Sequence, residues 1–91
     1  MATNSIKAKI LGGATIIDVR TSDEYADGYY KGAINIPVNA LPGKLDSLGP
    51  KDKPIIVYCA SGSRSAVAMS MLKARGFTDV TNAGGLDDMP E

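Results

Sequence analysis

The chain has 91 residues, of which 44% are hydrophobic, and its 10 basic and 10 acidic side chains leave no formal net charge. This length suits one small domain covering residues 1–91. Nucleic acid and anionic membrane surfaces both select for an excess of Lys and Arg, so neither is expected as a partner. One cysteine and no histidine exclude an internal disulfide, a Cys-His dyad and a Ser-His-Asp triad. They also argue against zinc, and we expect neither a metal nor a cofactor.

Residues 1–7 lack the apolar core of a signal peptide, and no stretch of the sequence is apolar for long enough to span a bilayer. As written, the sequence therefore predicts a cytoplasmic protein. A chain from which an N-terminal signal had been removed would look the same, and the expected compartment would then be the periplasm.

Hydrophobic spacing in the first half predicts short helices and strands in alternation. The predicted elements are a helix at 5–11, a strand at 14–19, a helix at 23–26 and a strand at 33–37. Thr21 and Glu24 have the spacing of a capping box at the start of the second helix. Arg20 is expected to pair with Glu24. Asp18, near the end of the first strand, has two interpretations: it caps nearby N–H groups, or it supports an active-site loop from below.

The second half continues the alternation. The predicted elements are a helix at 44–48, a surface loop at 49–54, a strand at 55–58, a helix at 65–75, a strand at 79–82 and a turn at 83–86. Alternating strands and helices predict an α/β fold. We expect a small, largely parallel sheet of about five strands with helices on both faces. The glycines of the last turn would let it approach the loop after Cys59 and help to wall a pocket.

The most informative stretch is the end of the third predicted strand. Cys59 ends that strand and is followed by four small residues, Ala60, Ser61, Gly62 and Ser63, and by the helix start at Arg64 and Ser65. Backbone N–H groups of such a loop and helix terminus can converge on one point and stabilise a thiolate, which is the nucleophilic form of cysteine. Arg64 can hold an anion through several donors. The alternative is a buried cysteine that only fills space.

A succession of short motifs from Ile16 to Leu86 resembles the rhodanese-like sulfurtransferase family. The motifs are Ile17-Asp18-Val19-Arg20 with Glu24, Gly32-Ala33-Ile34-Asn35-Ile36-Pro37, Val57-Tyr58-Cys59 with Gly62, Arg64 and Ser65, Gly76-Phe77, and Gly84-Gly85. Each motif alone is weak evidence, whereas their order is specific. The ending at 82–90 is similar to that of the small stress-induced periplasmic rhodaneses, which are single domains.

The resemblance implies a transferase that carries a sulfane sulfur as a persulfide on Cys59. The loop from Ala60 to Ser65 would then bind the substrate, with Arg64 on the donor anion, while Asp18 and Arg20 support the site. The implied donors are thiosulfate, polysulfide or a protein persulfide, and the implied acceptors are cyanide or a thiol, which includes a protein thiol. No cofactor is implied, and a monomer is expected.

Three positions depart from the family pattern. Many members have an arginine where this chain has Ala60, so the loop has one cation fewer and thiosulfate should bind less tightly. Many have a histidine at the position of Tyr29 and an aromatic residue at the position of Leu86, and these two differences concern packing.

Two other functions remain open from the sequence. A cysteine phosphatase also uses a Cys–loop–Arg cradle, but its pattern has five residues between the two, and only four separate Cys59 from Arg64. A sulfur carrier or regulatory binding module would use the same fold without efficient turnover, since function belongs to the site and not to the fold.

Overall fold

The computed structural model describes residues 2–91, with side chains from Ser5 onward, and its centre is a parallel sheet. The strands are β1 (Thr15–Asp18), β2 (Ile34–Asn35), β3 (Ile55–Cys59) and β4 (Val80–Gly85), in the spatial order β2-β1-β3-β4. The helices are α1 (Ala2–Leu11), α2 (Ser22–Ala26) and α3 (Ser63–Ala74). The α/β class and the parallel sheet are thus confirmed, and the strand bearing Cys59 is central.

The described residues form four strands, so the prediction of about five was too high. The long segment between β2 and β3 contains two 3-10 turns, Leu41–Gly43 and Leu45–Ser47, where we expected an α-helix at 44–48. Pro42 stands in the first turn of that segment and cannot donate a backbone hydrogen bond. Gly49 has a φ of +88° and reverses the chain shortly afterwards. Neither a strand nor a regular helix fits between these two residues.

Side chains of the strands alternate between two hydrophobic layers, as strand geometry requires. Val57 and Cys59 of β3 face one layer together with Ala68 and Leu72 of α3. The other layer contains Ile16, Ile56 and Tyr58, packed against Ile6 of α1 and Met89. Helices therefore cover both faces of the sheet, as predicted, and Cys59 points to the face covered by α3.

The last strand is longer than expected. Ala83, Gly84 and Gly85 were predicted to form a turn, but they continue β4, and Gly85 lies opposite Cys59 in the β3–β4 register. This pairing shifts between Val57 and Cys59, which locally bends the ladder at the site. Within residues 2–91, no helix combines the length and the apolarity needed to cross a bilayer.

Candidate active site

Cys59 lies at the carboxyl end of β3, where its sulfur is surrounded by donors from the following loop. The Gly62 N–H donates to Sγ at 2.9 Å, and the Ser65 N–H donates at 3.4 Å. Gly62 has a φ of +99°, a conformation that a side chain would strain, and it turns the chain so that its N–H points back at the sulfur. The Ser65 hydroxyl lies 3.4 Å from Sγ. The thiol therefore faces a small anion cradle at the start of α3.

The cradle changes the acidity of the thiol. Burial raises the pKa of Cys59, but hydrogen bonds from the Ser65 hydroxyl and from the N–H groups of Ser65, Ser61 and Gly62 outweigh burial and lower that pKa to about 7. Each of these bonds is stronger to the thiolate than to the thiol. A substantial fraction of Cys59 is therefore ionised near neutral pH, as a cysteine nucleophile requires.

This geometry predicts a pH titration. The pKa is lowered in the folded protein, so the thiolate forms as the pH rises through about 7, and its ultraviolet absorbance should rise over that range. Ser65→Ala removes the largest of the stabilising hydrogen bonds, and its midpoint should lie at higher pH. The measurement is the difference in absorbance from Cys59→Ser protein. Ser70→Ala, an exposed serine on α3, is the control and should titrate like the wild type. Equal midpoints for Ser65→Ala and wild type would contradict the assignment.

β4 forms one wall of the cradle. A Cβ atom at Gly85 would lie 2.3 Å from the Ala60 carbonyl oxygen, so only glycine allows the strand to approach this closely. The predicted approach of the Gly84-Gly85 segment to the cysteine loop is thus confirmed. Asn82 Nδ2 donates to the Gly62 carbonyl at 3.2 Å, and its Oδ1 lies 2.7 Å from the Ser65 hydroxyl oxygen, so Asn82 and the Cys59 thiolate are alternative acceptors for the single proton of that hydroxyl. Asn82 was not among the predicted site residues, although the neighbouring segment at 83–86 was expected to approach the loop and could have pointed to it.

Arg64 points toward α2 and forms an ion pair with Glu24. Its two terminal nitrogens donate to the two carboxylate oxygens at 2.7 and 3.0 Å. The hydrogen bonds to Glu24 raise the pKa of Arg64, and the nearby Cys59 thiolate raises it further by a smaller amount. The Arg64 hydrogen bonds, followed by that of the Thr21 N–H, lower the pKa of Glu24 to about 2. The predicted capping box of Thr21 and Glu24 is present. The ion pair between Glu24 and Arg64 was not predicted from the sequence.

The remaining loop residues contribute to the site through their backbone atoms more than through their side chains. Ala60, Ser61 and Ser63 are exposed, and the hydroxyls of the two serines lie 3.4 Å from each other. Ser61 acts on Cys59 through its N–H, and the Ala60 carbonyl abuts β4. The small side chains at these positions add little bulk beside Cys59, which is itself fully buried.

Asp18 and Arg20 form a buried network beside the site. Two groups of Arg20 donate to the Asp18 carboxylate. The backbone N–H donates at 2.9 Å, and the shortest guanidinium hydrogen bond is 2.7 Å. The expected pairing of Arg20 with Glu24 was wrong, since Glu24 is held by Arg64. The Tyr58 hydroxyl also donates to Asp18, at 2.8 Å. Asp18 therefore caps a nearby N–H group, and it reaches the site only through Tyr58, the neighbour of Cys59.

No group of three or more His, Cys, Asp or Glu side chains arranged to hold a metal ion occurs in the part of the chain that the structure describes.

Comparison with known proteins places this geometry in a family. A model of the rhodanese-like domain matches residues 3–88. The chain is 39% identical over 74 residues to the thiosulfate sulfurtransferase PspE of Escherichia coli, covering 80% of this chain and 71% of that protein. It is 34% identical over 70 residues to a sulfurtransferase of Allochromatium vinosum, covering 77% of this chain and 64% of that protein.

Solved structures agree with the sequence matches. A rhodanese with anions from E. coli superposes with a TM-score of 0.79 at 37% identity, covering 86% of this chain and 95% of that one. The human single-domain sulfurtransferase TSTD1 gives a TM-score of 0.83 at 25% identity, covering 93% of this chain and 88% of that one. The similarity thus extends over the sheet, the helices and the cysteine loop together.

Proposed function

Because this chain belongs to the family of rhodanese-like domains and is a sulfurtransferase, we propose that it moves a sulfane sulfur from a small donor to a thiophilic acceptor through a persulfide on Cys59. The observation that carries the proposal is the set of N–H groups directed at the Cys59 sulfur, with the pKa of that thiol lowered to about 7. Thiosulfate, polysulfide and protein persulfides are the candidate donors. Cyanide and thiols are the candidate acceptors.

In the first step, the Cys59 thiolate attacks the outer sulfur of the donor. With thiosulfate, a new S–S bond forms to Cys59, the S–S bond of thiosulfate breaks, and sulfite leaves with the bonding electron pair. The persulfide on Cys59 carries the negative charge that the thiolate had. The N–H groups of Ser61, Gly62 and Ser65 face this position and can stabilise the anion, as in an oxyanion hole.

In the second step, the acceptor attacks the outer sulfur of the persulfide. Cyanide leaves as thiocyanate, and the bonding electrons return to Cys59 as thiolate. A covalent intermediate of this kind produces ping-pong kinetics.

The test is the intact mass of the protein after incubation with thiosulfate. We expect a gain of about one sulfur atom, which cyanide then removes with release of thiocyanate. Protein whose cysteine has been alkylated beforehand is the control and should gain nothing. Absence of a gain from thiosulfate, polysulfide and a protein persulfide alike would contradict sulfur transfer and leave a binding module.

A further inference from the structure

The positive charge at the mouth of the cradle is already partnered. Arg64 is the only charged side chain between Cys59 and Ala66, and both of its terminal nitrogens are taken by the Glu24 carboxylate at 2.7 and 3.0 Å. Ala60 adds no second cation. Arg64 and Glu24 are each about one-third exposed, so solvent and small solutes can reach the pair. Formal charges of the pair cancel.

Glu24 is itself fixed in this position. Its carboxylate accepts from the backbone N–H and the hydroxyl of Thr21, each at 3.1 Å, as part of the capping box at the start of α2. Its pKa of about 2 keeps it ionised at neutral pH. An anionic donor that binds to Arg64 must therefore either displace a carboxylate that has its own anchors or share Arg64 with it.

We propose that Glu24 is a specificity-determining residue that competes with anionic donors for Arg64 and biases the site toward the hydropersulfide of a thiol over thiosulfate. The inference rests on the proposed function and narrows its donor class. Thiosulfate carries two negative charges. In this site it would lie near two further negative groups, the Cys59 thiolate and the Glu24 carboxylate, and only the Arg64 guanidinium would offset them. A hydropersulfide is uncharged in the form that the thiolate attacks and brings at most one negative charge when it is ionised, so it meets less Coulomb repulsion from Glu24 than thiosulfate does.

The hydropersulfide step balances without another reactant. The Cys59 thiolate attacks the outer sulfur of R–S–SH, the donor S–S bond breaks, and the donor thiolate RS⁻ leaves with the electron pair. Cys59 keeps the transferred sulfur together with its hydrogen, which is then lost to solvent. The leaving group is a thiolate with one negative charge and not sulfite with two, so it depends less on the positive charge of Arg64.

The experiment compares Glu24→Gln with wild type. Glutamine preserves the capping box, since it can accept the same hydrogen bonds from Thr21, and it removes the charge that competes for Arg64. The rate constant for persulfide loading of Cys59 is measured by rapid quenching and intact mass. One donor is thiosulfate, and the other is the hydropersulfide of N-acetylcysteine methyl ester, which has no charged group besides the persulfide itself.

For Glu24→Gln we expect the thiosulfate rate constant to rise about three- to fivefold, the scale of a partly exposed ion pair. The hydropersulfide rate constant should change less than about twofold on the same scale. Asp23→Asn is the matched control, because Asp23 lies in the same turn of α2, is exposed, and forms no hydrogen bond with Arg64 among the described side chains. It should leave both rate constants near those of the wild type.

Three results would overturn this inference and leave the proposed function standing. They are an unchanged or lower thiosulfate rate constant in Glu24→Gln, an equal rise of the rate constants for both donors in Glu24→Gln, and the same rise of the thiosulfate rate constant in Asp23→Asn. The first would mean that Glu24 positions Arg64 for the donor. Failure of wild-type protein to load sulfur from either donor would instead overturn the proposed function, and this inference with it.

Discussion

Cys59→Ser is expected to abolish sulfur transfer, with turnover from thiosulfate to cyanide falling at least about a thousandfold, as for other lost nucleophiles. A serine hydroxyl fits the same cradle but does not ionise near neutral pH, and the Gly62 and Ser65 N–H groups cannot lower its pKa far enough to matter. The measurement is thiocyanate formation at saturating donor, together with the intact mass after donor incubation. The chain contains no other thiol, so no second residue can take over the persulfide.

The variant should remain folded, because Ser and Cys differ little in volume and the site is at the end of a strand. Its circular dichroism spectrum and its thermal unfolding should therefore resemble those of the wild type. A folded Cys59→Ser protein that still gains about one sulfur atom would show that the sulfur is held elsewhere. If the wild-type protein gains the sulfur but passes it to cyanide very slowly, the result would point instead to a sulfur carrier.

The cysteine cradle could be predicted because its determinants are contiguous. A β-branched run, the thiol, four small residues and the helix start follow each other over Ile55–Ser65, and each element is governed by local preferences. The structure adds that Gly62 supplies the left-handed turn and that its N–H meets the sulfur at 2.9 Å. Local chemistry of this kind depends little on the rest of the fold.

Contacts between distant segments could not be predicted in the same way. Glu24 and Arg64 are 40 residues apart, and Asn82 is 17 residues from Ser65. Only the parallel strand order brings these side chains to one edge of the sheet, where the carboxyl ends of β1, β3 and β4 meet. The sequence shows that these residues are present but not which of them pair with each other.

The wrong partner for Arg20 has a local cause. Arg20 precedes the N-cap Thr21 and lies at a bend just after β1, outside α2, so it is not on the helix that bears Glu24. Its backbone N–H and its guanidinium both donate to the Asp18 carboxylate two residues earlier, as in an Asx turn. The capping interpretation of Asp18 is observed, and Asp18 also accepts from the Tyr58 hydroxyl. Burial raises the pKa of Tyr58 to about 12, and the hydrogen bond to Asp18 contributes to this increase.

This buried network leads to the prediction with the largest effect on stability. Asp18→Asn is expected to lower the free energy of unfolding by about 3 to 5 kcal/mol, the range for a buried ion pair that loses one partner. Asp18 is fully buried and the Arg20 side chain is 9% exposed, so the guanidinium would remain in the interior without its counter-charge. A domain of this size has only about 5 to 15 kcal/mol in total. Urea unfolding monitored by circular dichroism measures the change.

Asp46→Asn is the matched control, because it makes the same chemical change in the Asp46–Arg75 ion pair, where the aspartate side chain is 86% exposed. Asp46→Asn should lower the free energy of unfolding by less than about 1 kcal/mol, as for other ion pairs at the surface. The double variant Asp18→Asn/Arg20→Met should regain part of the lost stability, because it removes the stranded charge while keeping a long side chain in place. Equal costs for Asp18→Asn and Asp46→Asn would mean that water reaches Arg20 and that burial of the pair contributes nothing. No recovery in the double variant would assign the loss to the hydrogen bonds of Tyr58 and the Arg20 N–H with Asp18, and not to the unpaired charge.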